Sequence, residues 1–212
     1  MKLVVSGCSL THGAELYNNF MHPENVKKSY SAHLAKTLDV DLINVALSAA
    51  SNEYIFHSLI NEIEQNSDIH SIIVMWTTTG RLYWNCNKRH YFIHAGHATS
   101  MINLVDFEVY DKTINNCWIV GDTDQIVDEL ALHQKFFVTN YFDNREDLKK
   151  LKNYKLTLDA VCKYKNIKLI QLSWQDIRLI GTWDKEKRHP NAEEHKQIAT
   201  IIYEKYYENK HK

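Results

Sequence analysis

Short apolar runs alternate along this chain with stretches whose apolar residues recur every third or fourth position. The first run, Lys2 to Ser6, is broken by Gly7 and reads as a buried strand ending in a turn. Between residues 28 and 38, Tyr30, Leu34 and Leu38 stand four apart, a helical stripe. Asp41 to Ala46 predicts a second short strand. Ser51 to Gln65 carries Ile55, Leu59, Ile60 and Ile63 at amphipathic-helix spacing, with Ser51 or Asn52 as its N-cap. Ser71 to Trp76 is the plainest buried strand. Residues 77 to about 125 are aromatic, polar and weakly periodic, and are expected to form an insertion or lid with a hairpin. Residues 126–165 predict helix, with an apolar stripe of Leu148, Leu151, Leu156, Leu158 and Val161. Ile167 to Leu172 is a further strand, and Asn191 to Tyr207 closes the chain as a helix carrying Ile198, Ile201 and Ile202. Strands alternating with helices argue for an α/β domain with a mainly parallel sheet.

The length, 212 residues, suits a single domain (1–212) with a sizeable core. No repeat or linker divides it. A formal net charge of −1 argues against a broad electrostatic grip on nucleic acid. Lys149, Lys150, Lys152 and Lys155 make only a short basic stripe, best read as a solvated helix face. Cys8, Cys86, Cys117 and Cys162 form no C-x-x-C pair, so reduced thiols in a cytoplasmic compartment are expected. The apolar start is too short for a signal peptide, and no run approaches a membrane span. No membrane association is therefore expected, and oligomeric state is open.

Three segments carry chemistry, each at a strand end or at the start of the last helix, where open α/β sheets bind ligands. Gly7-Cys8-Ser9-Leu10-Thr11-His12-Gly13 sets a serine just past the first strand. A helix starting there would offer free N–H groups to a developing oxyanion, yet Ser9 alone is better explained as an N-cap. Asn44-Val45-Ala46-Leu47-Ser48-Ala49-Ala50-Ser51-Asn52 supplies small residues and a backbone N–H after the second strand. In Glu186-Lys187-Arg188-His189-Pro190-Asn191 a carboxylate stands three residues before an imidazole, close enough to orient it.

Together these blocks resemble the SGNH (GDSL-like) hydrolase superfamily, especially its small divergent members from phage and bacterial genomes. Gly7-Cys8-Ser9-Leu10-Thr11 is similar to the first block, Gly-Asp-Ser-Leu/Phe-Thr, and Glu186-x-x-His189-Pro190-Asn191 to the last, Asp-x-x-His-Pro-Asn. Asn44 to Asn52 resembles the second block. The resemblance implies a three-layer α/β/α, flavodoxin-like fold and an esterase or deacylase acting on a small ester, such as an O-acylated glycan, without a cofactor. It implies Ser9 as nucleophile, His189 as base and Glu186 as orienting carboxylate, with Asp184 as fallback at the wrong spacing. The Ser9 and Ala49 N–H groups would form part of the oxyanion hole.

Three positions depart from the pattern. Cys8 replaces the aspartate beside the serine, and Ala49 replaces a glycine. The third block, Gly-x-Asn-Asp, is missing; Thr77 falls nearest its asparagine, and its hydroxyl could donate instead. Losing one oxyanion donor costs about 10²–10³ in turnover, so a weak or inactive binding or structural protein on the same fold is the alternative. Arg81 matches a Trp-Ser/Thr-x-x-x-Arg run of phage-type members and could hold a carboxylate or phosphate of the substrate, or as readily form a surface ion pair; Asn52 is a second candidate substrate contact. Cys8 is a less favoured nucleophile. His90, His94 and His97 have spacings that suit one helical face, but Gly96 and the aromatic context argue against a helix there, and no metal is expected. The aromatics Trp76, Tyr83, Trp84, Tyr91, Phe92 and Trp118 read as core and lid packing before a carbohydrate or protein contact face.

Overall fold

A computed structural model describes residues 1–14, 16, 17, 22, 24–48, 50–79, 81–86, 89–95, 117–120, 144–173, 176 and 189–208. Its strands are β1 (Lys2–Ser6), β2 (Asp41–Asn44), β3 (Ile69–Trp76), β4 (Arg81–Cys86), β5 (Arg89–Ala95), β6 (Cys117–Val120) and β7 (Lys168–Ser173). Its helices are α1 (Ser9–His12), α2 (Asn25–Lys28), α3 (Tyr30–Leu38), α4 (Asn52–Gln65), α5 (Asn144–Tyr164) and α6 (Ala192–Tyr206).

The main sheet runs β2-β1-β3-β7, every pair parallel. Period-two alternation gives it two buried faces. Leu3 and Val5 of β1, Ile73 and Met75 of β3, and Ile170 and Leu172 of β7 turn to one side, where Leu34, Ile198 and Ile202 from α3 and α6 cover them. Val4, Ile72, Val74 and Trp76 turn to the other, against Ile55, Leu59 and Ile63 of α4 and Leu158 and Cys162 of α5. The result is a three-layer α/β/α fold with a parallel central sheet. The order β2-β1-β3 places the point where strand order reverses between β1 and β3, and ligands of such sheets bind outside the carboxyl ends of the strands there.

The local signals explain the elements. Ser51 caps α4, its hydroxyl accepting from the Tyr54 N–H at 3.2 Å. Asn191 opens α6 with a capping box: its side chain accepts from the N–H groups of Glu193 and Glu194, and Glu194 accepts from the Asn191 N–H. β2 stops at Asn44, short of the expected Ala46, because the Asn44 side chain takes the Ala46 N–H at 2.9 Å and turns the chain. The stripe expected on α5 is corrected as well. Leu148 and Leu156 are 52% and 59% exposed, whereas Leu158 is fully buried. The face that meets α4 and the sheet is Leu151, Tyr154, Leu158, Val161 and Cys162, a truer helical spacing than counting leucines gave.

The expected insertion after β3 bears an antiparallel sheet, β4-β5-β6, whose first pair is the predicted hairpin. His90 and His94 lie on strand β5, so helical-face spacing does not apply to them; His97 lies outside the described residues. The predicted helix at 126–143 also lies outside them. Among the described residues, no helix is long and apolar enough to cross a membrane.

Candidate active site

The path from β1 into α1 is set by one glycine. A methyl group on Gly7 would lie 2.2 Å from Thr11 Oγ1 and 2.8 Å from Thr11 Cβ, so the turn closes over bare backbone. Cys8 occupies the N-cap position with an extended backbone and no side-chain capping bond, and its carbonyl accepts from the Thr11 and His12 N–H groups, each at 3.0 Å. Ser9 is thus the first helical residue, and the capping explanation for it does not apply. It is largely buried, 9% exposed. The helix it starts is a single turn that ends at Gly13 in the left-handed region, φ 80°. So short a helix has little macrodipole of its own.

Two polar linkages hold this turn. The Thr11 hydroxyl lies 3.2 Å from that of Tyr30, a wholly buried phenol whose pKa burial pushes up. The Asn44 amide donates to the Thr11 carbonyl at 3.1 Å and to Ser31 Oγ at 2.9 Å. The loop after β2 docks on the first block as well, its Leu47 N–H donating to the Gly7 carbonyl at 3.3 Å. Ala49 of this loop lies outside the described residues.

At the end of β3, Asn52 and Thr77 are brought together. Asn52 Nδ2 donates to the Thr77 carbonyl at 3.0 Å, and the Thr77 N–H donates to Asn52 Oδ1 at 2.9 Å. This reciprocal pair fastens the start of α4 to the end of β3. It also removes the Thr77 backbone N–H as an oxyanion donor and leaves the hydroxyl for that role. Arg81, at the start of β4, reaches back across the reversal point. Its Nη1 donates to the Ala50 carbonyl at 3.4 Å, and the guanidinium lies within electrostatic reach of the Cys8 sulfur, a free buried thiol. Burial lowers the guanidinium's pKa, and the Cys8 sulfur opposes the shift; arginine nonetheless stays charged at ordinary pH.

His189 is half-buried at the entry to α6, followed by the buried Pro190. It lies within electrostatic reach of His195, where it helps to disfavour the charged imidazole. Among the described hydrogen bonds, none joins the Ser9 hydroxyl to His189. Tyr30 connects their neighbourhoods instead. Its hydroxyl meets Thr11 of α1, and its backbone N–H donates to His195 Nδ1 of α6 at 3.0 Å, with the two rings stacked. Glu186 and Asp184 lie outside the described residues.

Two buried histidines went unassigned in the sequence. His12 is 5% exposed and its Nδ1 lies 3.2 Å from the Ala46 carbonyl. A carbonyl only accepts, so Nδ1 carries the proton and Nε2 is left as a buried acceptor without a partner. Burial lowers the His12 pKa, only partly offset by the Ala46 bond, which keeps it neutral. The signal was present: His12 stands three residues after Ser9, on the same side of one helical turn. His195 is wholly buried and its pKa is lowered to about 3, by burial first and then by His33 and His189. Its position, three before Ile198 on the apolar stripe of α6, was the available clue. Among the described residues, no cluster of three or more histidine, cysteine or acidic side chains could hold a metal.

No protein-family model matches the chain, and neither does any curated protein. Three solved structures are similar to it over most of their length. One is a protein assigned to the lipolytic G-D-S-L family from Desulfitobacterium hafniense DCB-2, at 15% identity and TM-score 0.39, covering 96% of this chain and 98% of that one. Another is the psychrotrophic esterase EstA from Pseudoalteromonas sp., at 15% identity and TM-score 0.38, covering 96% and 94%. The third is TesA, at 10% identity and TM-score 0.39, covering 96% and 97%. Likenesses at this level place no residue of this chain in a role.

Proposed function

We propose that this protein is a serine hydrolase of the SGNH type, cleaving a small ester with Ser9 as nucleophile and His189 as general base. The observation that carries this is the setting of Ser9. It follows the carboxyl end of β1, beside the reversal point of a parallel sheet, and it is helical residue one where a cap would ordinarily explain a serine. Ser9 Oγ attacks the ester carbonyl carbon while its proton passes to His189. The tetrahedral intermediate collapses, and the leaving alkoxide takes that proton from the imidazolium. Water then attacks the acyl-serine, giving its proton to His189, and the acid departs as Ser9 regains its hydroxyl. Glu186 orients the imidazole. The oxyanion is met by the Ser9 and Ala49 N–H groups and the Thr77 hydroxyl. His189 need not hold Ser9 in the resting state, because such hydrogen bonds often tighten only with substrate bound.

Labelling by a fluorophosphonate probe and turnover of short-chain p-nitrophenyl esters test the reading. Wild type should be labelled at Ser9, and Ser9→Ala and His189→Ala should each abolish hydrolysis while unfolding like wild type. Failure of wild type to label or to turn over esters of any acyl length would leave a binding or structural protein on this fold as the surviving reading.

A further inference from the structure

We infer that Arg81 is an anion-recognition residue, and that the ester taken at Ser9 carries an oxyacid anion, a carboxylate or phosphate, a few bonds from its scissile carbonyl. The word ester rests on the hydrolase reading; the anion site does not.

Three observations lead there. A guanidinium withdrawn from water is costly unless an opposite charge meets it. Yet the described hydrogen bond of Arg81 goes to an uncharged group, the Ala50 carbonyl, at the long distance of 3.4 Å. None of the described ion pairs includes Arg81, although Glu53 and Asp147 line a depression with it. Second, Arg81 Nε is buried without an acceptor. With its neighbouring Nη, this nitrogen forms an edge by which arginine grips a carboxylate or phosphate through two parallel hydrogen bonds. Third, the place is right. Cys8 immediately precedes Ser9 and Arg81 follows β3, so the guanidinium spans the reversal point between β1 and β3, where the ligand belongs. Adjacent Cα atoms are about 3.8 Å apart, so an anion held beside Cys8 leaves room for only a short spacer to a carbonyl at Ser9.

The charge of the substrate tests this directly. Mono-p-nitrophenyl succinate and p-nitrophenyl butyrate have similar length and differ in a terminal carboxylate. Wild type should prefer the succinate in kcat/KM by roughly tenfold to a hundredfold, the worth of a hydrogen bond to a charged group. In Arg81→Gln that ratio should collapse toward unity, and in Arg81→Lys it should survive in part. No preference in wild type overturns the claim that the ester is anionic. So does an Arg81→Gln that loses both esters alike, the pattern of an oxyanion donor or a structural support. Calorimetric titration with succinate and with inorganic phosphate gives a readout free of turnover and separates the two anions. Heat of binding in wild type that is lost in Arg81→Gln and kept in part in Arg81→Lys sustains the anion site even if every ester and the fluorophosphonate fail. Absence of binding by both anions, together with no charge preference, removes it while leaving Ser9 chemistry intact.

Discussion

Acidification should unfold this protein through one histidine. His195 Nδ1 accepts the Tyr30 N–H, and its ring is sealed between α3 and α6. Protonation would destroy that acceptor and bury a charge. Its folded pKa is about 3, against 6.5 for a free imidazole, so between those values the unfolded chain holds the extra proton. The stability this histidine contributes is present above pH 6.5 and is lost as pH falls toward 3. From pH 7 to pH 5 the unfolded state takes up most of a proton and the folded state almost none, a loss of about 2 kcal/mol. Urea unfolding at the two pH values measures it, with His195→Asn as the reference, since its amide oxygen can still accept from Tyr30 and cannot titrate. His12, His33 and His70, also depressed mainly by burial, are common to both proteins and cancel in the difference. Wild type should lose about 2 kcal/mol more than the variant on acidification. Equal losses would refute the assignment of the proton to His195.

Other outcomes follow from the same geometry. Gly7→Ala should destabilise by about 1–3 kcal/mol in thermal unfolding, because its methyl meets Thr11 at less than contact distance; a variant as stable as wild type would show α1 free to swing off the strand end. Leu158→Ala should cost roughly 2–5 kcal/mol and Leu156→Ala under about 0.5 kcal/mol, since one is sealed and the other faces water. Similar costs for the two would mean that α5 is turned about its axis.

The layered α/β architecture was legible because period-two runs and helical stripes each persist long enough to identify themselves. Ile69–Trp76 and Asn52–Gln65 show this best. The stripe on α5 was misread because a leucine count ignores Tyr154 and Cys162, which fill the same face. The candidate site was legible only as separate blocks. Ser9, His189 and Arg81 stand out by type and context. What the sequence could not show is pairing across space: the Asn52 amide closing on the Thr77 backbone, or Arg81 reaching back to the Ala50 carbonyl. These contacts join residues far apart in the chain, and no local periodicity encodes them. His12 and His195 escaped for a different reason, since a buried neutral imidazole looks like any surface histidine until its neighbours are known.

The link between Tyr30 and His195 spans 165 positions, and that span bears on how the protein is made. During synthesis the N-terminal part of a chain is free to fold first. Here β1, β2 and β3 have all emerged while the α3 face of the sheet still lacks α6. Ile73, Met75 and the flank of α3 therefore wait in water for the last helix. A ribosome that stalls before residue 192 leaves an apolar half-core on display, the kind of surface that chaperones bind and proteases clear. The same late helix carries the His189 block at its entry, so the nucleophile is translated early and its proposed base arrives only with the element that closes the core.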